Sequence, residues 1–167
     1  YITLPFTNGM IQTLEMPITW QIPSIIIITM IFKGKIVIKA FSIYLIIGLF
    51  FIPVFHQGGS LGYLLTPNFG YLLGLYPLIK IFDNLIKIKQ KIIFYDLLKY
   101  GISGILSMHL IGITYSCFQI LYFKQADTLL YYISKYSLGN IGYHILILTP
   151  ITLLIKFINN KKYQRNV

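Results

Sequence analysis

Apolar runs at residues 16–32, 36–52, 68–86, 92–123 and 140–158 dominate the chain and leave it few ways to fold. A helix needs about 20 apolar residues, within a range of roughly 17–25, to cross a hydrocarbon core ~30 Å thick. Lipid cannot satisfy backbone N–H and C=O groups, so segments of this kind must be helices that bond internally. Only 11% of the 167 residues are charged, against roughly 25% in soluble domains. The sequence therefore predicts an all-α integral membrane protein, a single transmembrane domain over residues 1–167 with about five spans, and the lipid bilayer as its first partner.

The net charge of +10 would suggest nucleic acid in a soluble protein. Here the lysines sit at the ends of apolar runs, as snorkelling side chains and topology signals do, so nucleic acid is not an expected partner. If the loops alternate sides, one side receives Lys33, Lys35, Lys39, Lys80, Lys87, Lys89, Lys91, Lys99, Lys156, Lys161, Lys162 and Arg165, and the other only Lys124 and Lys135. This asymmetry orients the Lys-rich loops toward the cytoplasm or stroma. Lysine outnumbers arginine thirteen to one, and Ile, Asn, Tyr and Phe are abundant. That usage fits an AT-rich genome such as that of an organelle or a reduced bacterium.

The poorly charged rim carries the stretch the others flank, PVFHQGGSLGYLLTPNFGYLLGLYP at 53–77. Gly58, Gly59 and Gly62 let the backbone turn where side chains would clash, and Pro67 suits the start of a helix. A loop of this length lies at a membrane face or lines a cavity; the reading adopted is a loop folded over an outward or lumenal pocket. The span that follows places Gly70 and Gly74 four residues apart, a pair that permits close helix contact.

Elsewhere, residues 1–15 read as the tail of an earlier span followed by a loop, with Thr7, Asn8 and Gly9 as turn residues. Pro17 fits a helix N-terminus and Pro23 is expected to kink the first span. Residues 124–139 are more polar, with Leu129, Leu130 and Ile133 as one apolar face of a short interfacial helix. The single cysteine, Cys117, excludes an internal disulfide and a cysteine metal cluster. No nucleophile elbow, zincin motif or phosphate loop is present, so no enzyme and no cofactor are expected. His109 and His144 both fall on spans, but no spacing supports a metal site.

The motif PVF-x-x-GG-x-x-G-Y followed by P-x-x-GYLLG, carried by Pro53, Val54, Phe55, Gly58, Gly59, Gly62, Tyr63, Pro67, Gly70, Tyr71, Leu72, Leu73 and Gly74, resembles the BioY family. These are the substrate-capture (S) components of energy-coupling-factor (ECF) vitamin transporters. TWQIPS…KGK…YLIIGLFFIPVF, residues 19–55, and HLIGITY, residues 109–115, are also similar to the family, the latter to its cyanobacterial members. The resemblance covers about residues 16–158. It implies a six-helix bundle, with the first family helix expected before residue 1, a biotin site beneath the outer loops and near the last helix, and an ECF coupling subunit with ATPases as partners.

Many members begin the last helix with P-G-D-x-x-K, whose acid and lysine contact the ligand. Here Asn140 stands where the Asp would be and Tyr143 where the Lys would be. Asn still bonds a ureido ring, whereas Tyr offers a carboxylate no charge. Either Lys135 or Lys124 substitutes, or biotin binding is weakened or lost. Gln57, Gly58, Gly59, Asn68, Tyr71, His109, Asn140 and Tyr143 are the candidate ligand-binding residues, with His56 beside them on the loop. The function implied is capture of biotin or a related small carboxylate at a plasma membrane or a plastid (thylakoid or envelope) membrane. The alternative is a non-transporting structural subunit of a larger membrane complex, for example a photosynthetic assembly.

Overall fold

A computed structural model describes residues 2–5, 11–14, 20–55, 60–88, 93–123 and 129–164, with side chains described within 20–55, 60–88, 93–122 and 130–154. The order is a β-hairpin (β1, Ile2–Pro5; β2, Ile11–Leu14), then α1 (Gln21–Ile31) and α2 (Gly34–Phe50). A loop with a 3-10 turn (Leu61–Leu65) leads to α3 (Pro67–Leu73), α4 (Leu75–Ile88) and α5 (Phe94–Phe123). Last come α6 (Leu129–Ile133), a π-turn (Ser134–Leu138) and α7 (Gly139–Gln164). Helices dominate, as the apolar runs require.

Among the described residues, three stretches are long and apolar enough to cross a membrane: Pro67–Ile88, Phe94–Tyr122 and Leu130–Leu154. Of the two remaining runs, α2 has 17 residues and α1 only 11. At 1.5 Å per residue these reach about 25 and about 17 Å.

Three sequence expectations are corrected. Residues 2–5 and 11–14 pair as antiparallel strands in the register Ile2↔Leu14 to Pro5↔Ile11, not as the end of a helix; β-branched Ile2, Thr3, Ile11 and Thr13 favour strands. Thr7, Asn8 and Gly9 fall outside the described residues. Pro23 is the third residue of α1, where no hydrogen bond within the helix is lost, so it opens the helix and kinks nothing. The break occurs instead between α3 and α4. Pro77 cannot donate to the Leu73 carbonyl, and the helix interrupts there, at Gly74. Finally, Leu129–Ile133 does not stand apart from the last span. The π-turn carries it straight into α7, and Leu130 lies exposed.

The bundle closes on α5, which packs against α3, α4 and α7. Its inward stripe is small where helices meet most closely. A Cβ on Gly74 would lie 2.6 Å from the Met108 carbonyl oxygen, and Gly70 faces the Tyr115 side chain. The small pair at 70 and 74 thus lets α3 reach α5 at backbone distance. Leu78, Ile79, Phe82, Leu97, Ile105 and Leu148 fill the core below.

Two ends differ in chemistry. At one, the Gly34 N–H donates to Asp83 Oδ1 at 2.9 Å, and Lys87 pairs with the same carboxylate. Lys33 and Lys35 flank that junction. At the other, Ser60 N–H donates to the Gly48 carbonyl at 3.1 Å, and Tyr115 and Gln119 both donate to the Leu64 carbonyl. The uncharged loop and the α1–α2 lysine turn therefore occupy opposite ends of the bundle.

Candidate functional site

The loop end is built on aromatic rings. Centroids run from Tyr44 to Phe55 at 5.5 Å, to Tyr63 at 4.7 Å, to Phe69 at 6.4 Å and to Tyr115 at 5.9 Å. Gly48 makes room for Phe55, whose ring occupies the space a Cβ there would need. Burial pushes the Tyr63 phenol up to about 12, so this ladder stays neutral. Ser60, where the loop re-enters the described residues, has φ 108° and ψ 168°, a backbone region almost reserved for glycine.

Beside the ladder, four side chains from four elements form a hydrogen-bonded chain, which Ser116 of α5 joins at Tyr71. Tyr71 of α3 meets Ser137 of the π-turn at 2.6 Å between oxygens. Ser137 Oγ lies 3.2 Å from Nδ1 of His109, on α5, whose Nε2 lies 3.0 Å from Nδ1 of His144, on α7. Ser137 and His109 are each 2% exposed and His144 is 5% exposed. Polar groups in such a setting must pair with one another, because water and lipid offer them nothing. Gly112 supplies the room for Tyr71, whose ring lies where a Cβ on Gly112 would stand. Ser137 and His144 are seven residues apart and so share the inward face of the last helix.

Above this chain sits a tyrosine cluster with Lys135, one of the two lysines the sequence assigns to this rim. The Tyr132 and Tyr136 rings stack at 5.9 Å, and Tyr136 lies 6.0 Å from Tyr71. Lys135 Nζ lies 5.5 Å from the Tyr131 ring centroid and 5.7 Å from that of Tyr136, and it donates to the Tyr131 hydroxyl at 3.3 Å. Ring faces of this kind attract an ammonium.

Of the candidate residues, the structure brings Tyr71 and His109 together through Ser137. Asn140 lies one turn further along, where its amide donates to the Lys135 carbonyl at 3.1 Å and closes the π-turn. Asn68 occupies the first turn of α3, three residues before Tyr71 and on a neighbouring face. Tyr143 is 45% exposed; adjacent to His144 in sequence, it points from another face of α7. Gln57, Gly58, Gly59 and His56 lie outside the described residues, as does Lys124. The aromatic ladder and the polar chain lie among α2, α3, α5 and α7 at the end of the bundle where the expected pocket would lie. A cavity of about 340 Å³ lies between Trp20, Gln21, Ser24, Ile25, Phe41, Tyr44 and Leu75.

Sequence reasoning missed Ser137 and Gln119. Ser137 turns inward because of the π-turn, and its seven-residue spacing from His144 was the signal available. Gln119 donates to the Leu64 carbonyl at 2.8 Å, and its buried Oε1 has no partner among the described residues.

Comparison with known proteins places these features in a family. The model of the BioY family matches residues 2–156. A protein of Lysinibacillus sphaericus described as "Probable biotin transporter BioY" is 40% identical over 58 residues, an alignment covering 35% of this chain and 30% of the relative's length. No solved structure matches the chain. With the family model matching nearly its full length, this integral membrane protein belongs to the BioY family.

Proposed function

We propose that the chain is the substrate-capture component of an ECF-type transporter and that it takes up biotin at the loop end of the bundle. The observation that carries this reading is the match to the BioY family over residues 2–156. The relative described as a probable biotin transporter supports biotin as the ligand. Neither finding favours a purely structural subunit.

In this reading, Asn68, Tyr71, His109, Asn140 and Tyr143, with Gln57, Gly58 and Gly59 of the loop, surround the ligand. Biotin offers a ureido ring, a thioether ring and a carboxylate. The polar chain and Asn140 suit the ureido group, the tyrosines suit the fused rings, and Lys135 meets the carboxylate in place of a lysine at position 143. A carboxylate entering a rim with few other cations needs such a partner. A coupling subunit and ATPases supply the energy. The Lys-rich end faces the cytoplasm or stroma, which turns the loop end outward or to the lumen of a plasma or plastid membrane.

The test is biotin uptake by auxotrophic cells that express the full chain with and without a coupling subunit and ATPases. Uptake that needs this chain and rises with the coupling module supports the reading. Uptake unchanged by the chain in both backgrounds overturns it.

A further inference from the structure

The turn at Lys33 joins α1 to α2, and both helices pack on α4. Away from that turn, toward the loop end, the cavity of about 340 Å³ lies between them, with Leu75 of α4 in its wall. On α1 it is lined by Gln21, Ser24 and Ile25, with Trp20 just before the first turn; on α2 it is lined by Phe41 and Tyr44. None of these side chains carries a charge.

The lining is graded from polar to apolar. Trp20 and Gln21 precede Ile25 on α1, and Tyr44 follows Phe41 on the returning α2, so the polar groups stand nearer the loop end on both helices. Gln21 Nε2 donates to the Tyr44 hydroxyl at 3.3 Å, which in turn donates to the Val54 carbonyl at 3.5 Å. An amide nitrogen carries two N–H groups and an indole one. The second N–H of Gln21 and the indole N–H of Trp20 have no acceptor among the described residues.

Depth decides what fills such a cavity. With 11 residues, α1 rises about 17 Å, against a hydrocarbon core ~30 Å thick. With the lysine turn at one interface, its loop-end tip falls short of the other unless the bilayer thins there. The helix surfaces beside the cavity are exposed and apolar, Ile28 on α1 and Ile43 and Ile46 on α2, so lipid is the solvent around it. Trp20 is 68% exposed, and indole rings concentrate where acyl chains meet headgroups. Donors at that depth are costly without an acceptor. The ester carbonyl of a phospholipid is such an acceptor, and it heads an apolar chain in the same order as the lining.

We propose that this cavity seats one acyl chain of a bilayer phospholipid. Its ester carbonyl accepts from Gln21 and Trp20, and the chain runs past Ile25, Phe41 and Leu75. With no charged group in the lining, headgroup charge does not select the occupant. The site is separate from biotin capture and does not depend on it.

Trp20 is the single tryptophan of the chain and reports on the site directly, because bromine on a nearby acyl chain quenches indole emission. The full chain, purified in detergent, is titrated with phosphatidylcholine brominated on its acyl chains, as the ester and as the matching ether lipid. The expected result is saturable quenching at one lipid per chain, with the same affinity for brominated phosphatidylglycerol. The ether lipid should bind about two- to tenfold more weakly, and Q21L should bind the ester lipid more weakly to a similar degree. Ser24 is exposed, so S24F places a ring in the cavity from its rim; it should lose the saturable quenching and keep the wild-type melting temperature measured without added lipid. Quenching that rises linearly with lipid reports bulk contact only and overturns the proposal. Equal affinity for ester and ether lipids overturns the contacts with Gln21 and Trp20 and the assignment with them. Displacement of the brominated lipid by biotin overturns it in favour of a site for the captured ligand.

Discussion

Three residues at the loop end make predictions of their own. Lys135, held over two tyrosine rings, is the proposed partner of the ligand carboxylate. A hydrogen bond to a charged group contributes about 1.5–3 kcal/mol. K135M should therefore weaken biotin binding roughly 10- to 100-fold and leave an uncharged biotin amide bound as before; competition titrations with both ligands check this. Ser60 holds a backbone geometry that costs about 1–3 kcal/mol for a residue with a Cβ. S60G removes much of that strain and should raise the melting temperature by about 2–4 °C per kcal/mol relieved, read by thermal unfolding in detergent. Gly112 leaves the space the Tyr71 ring fills. G112A should displace Tyr71 from Ser137 and weaken biotin binding, with the loss visible as altered histidine ring shifts. Tyr71 and His109 were legible as candidates because polar residues inside spans are functional by default. Ser137 was not, since a serine beside a polar segment reads as surface.

At the scale of elements, the contact of α3 with α5 carries the most weight. Gly74 meets the Met108 backbone, so no rotamer change in a neighbour makes room for a side chain. G74L forces the helices apart and should destabilise the bundle by about 1–3 kcal/mol, measured as a lower melting temperature in detergent. G62L, at a glycine with only the Ser60 hydroxyl near its virtual Cβ, serves as the control and should change far less. The four-residue glycine spacing made this contact readable, because small residues four apart mean the same thing in most membrane helices. The helix break at Gly74 was readable from Pro77 in principle, yet Pro23 drew the attention although its place in the first turn makes it harmless. The π-turn had no sequence signal: adding one residue to a turn depends on which side chain the bundle needs inward, here Ser137. The strand pair at residues 2–5 and 11–14 was lost to the expectation of another helix, although Ile2, Thr3, Ile11 and Thr13 are β-branched and argued for strands.

For the whole molecule, the account separates a lysine rim from an uncharged loop rim. Apolar length, lysine placement and the glycine motif were enough to read an all-α membrane bundle and its family from the sequence. The interior of the site was not legible, because which aromatic rings fill the loop end depends on contacts between residues far apart in the chain, such as Phe55 with Gly48 and Tyr115 with Leu64. Single cysteines at position 35 and position 60, in a background with Cys117 replaced by serine, should react with a membrane-impermeant maleimide from opposite faces of sealed vesicles. Labelling of both from the same face contradicts the topology.

The central claim is that this chain binds biotin by itself, before any coupling partner acts. Tritiated biotin titrated onto the purified full chain in nanodiscs tests it most directly. The account predicts saturable binding, one biotin per chain, displaced by unlabelled biotin and weakened by K135M. Counts that rise linearly with concentration and resist displacement would contradict it.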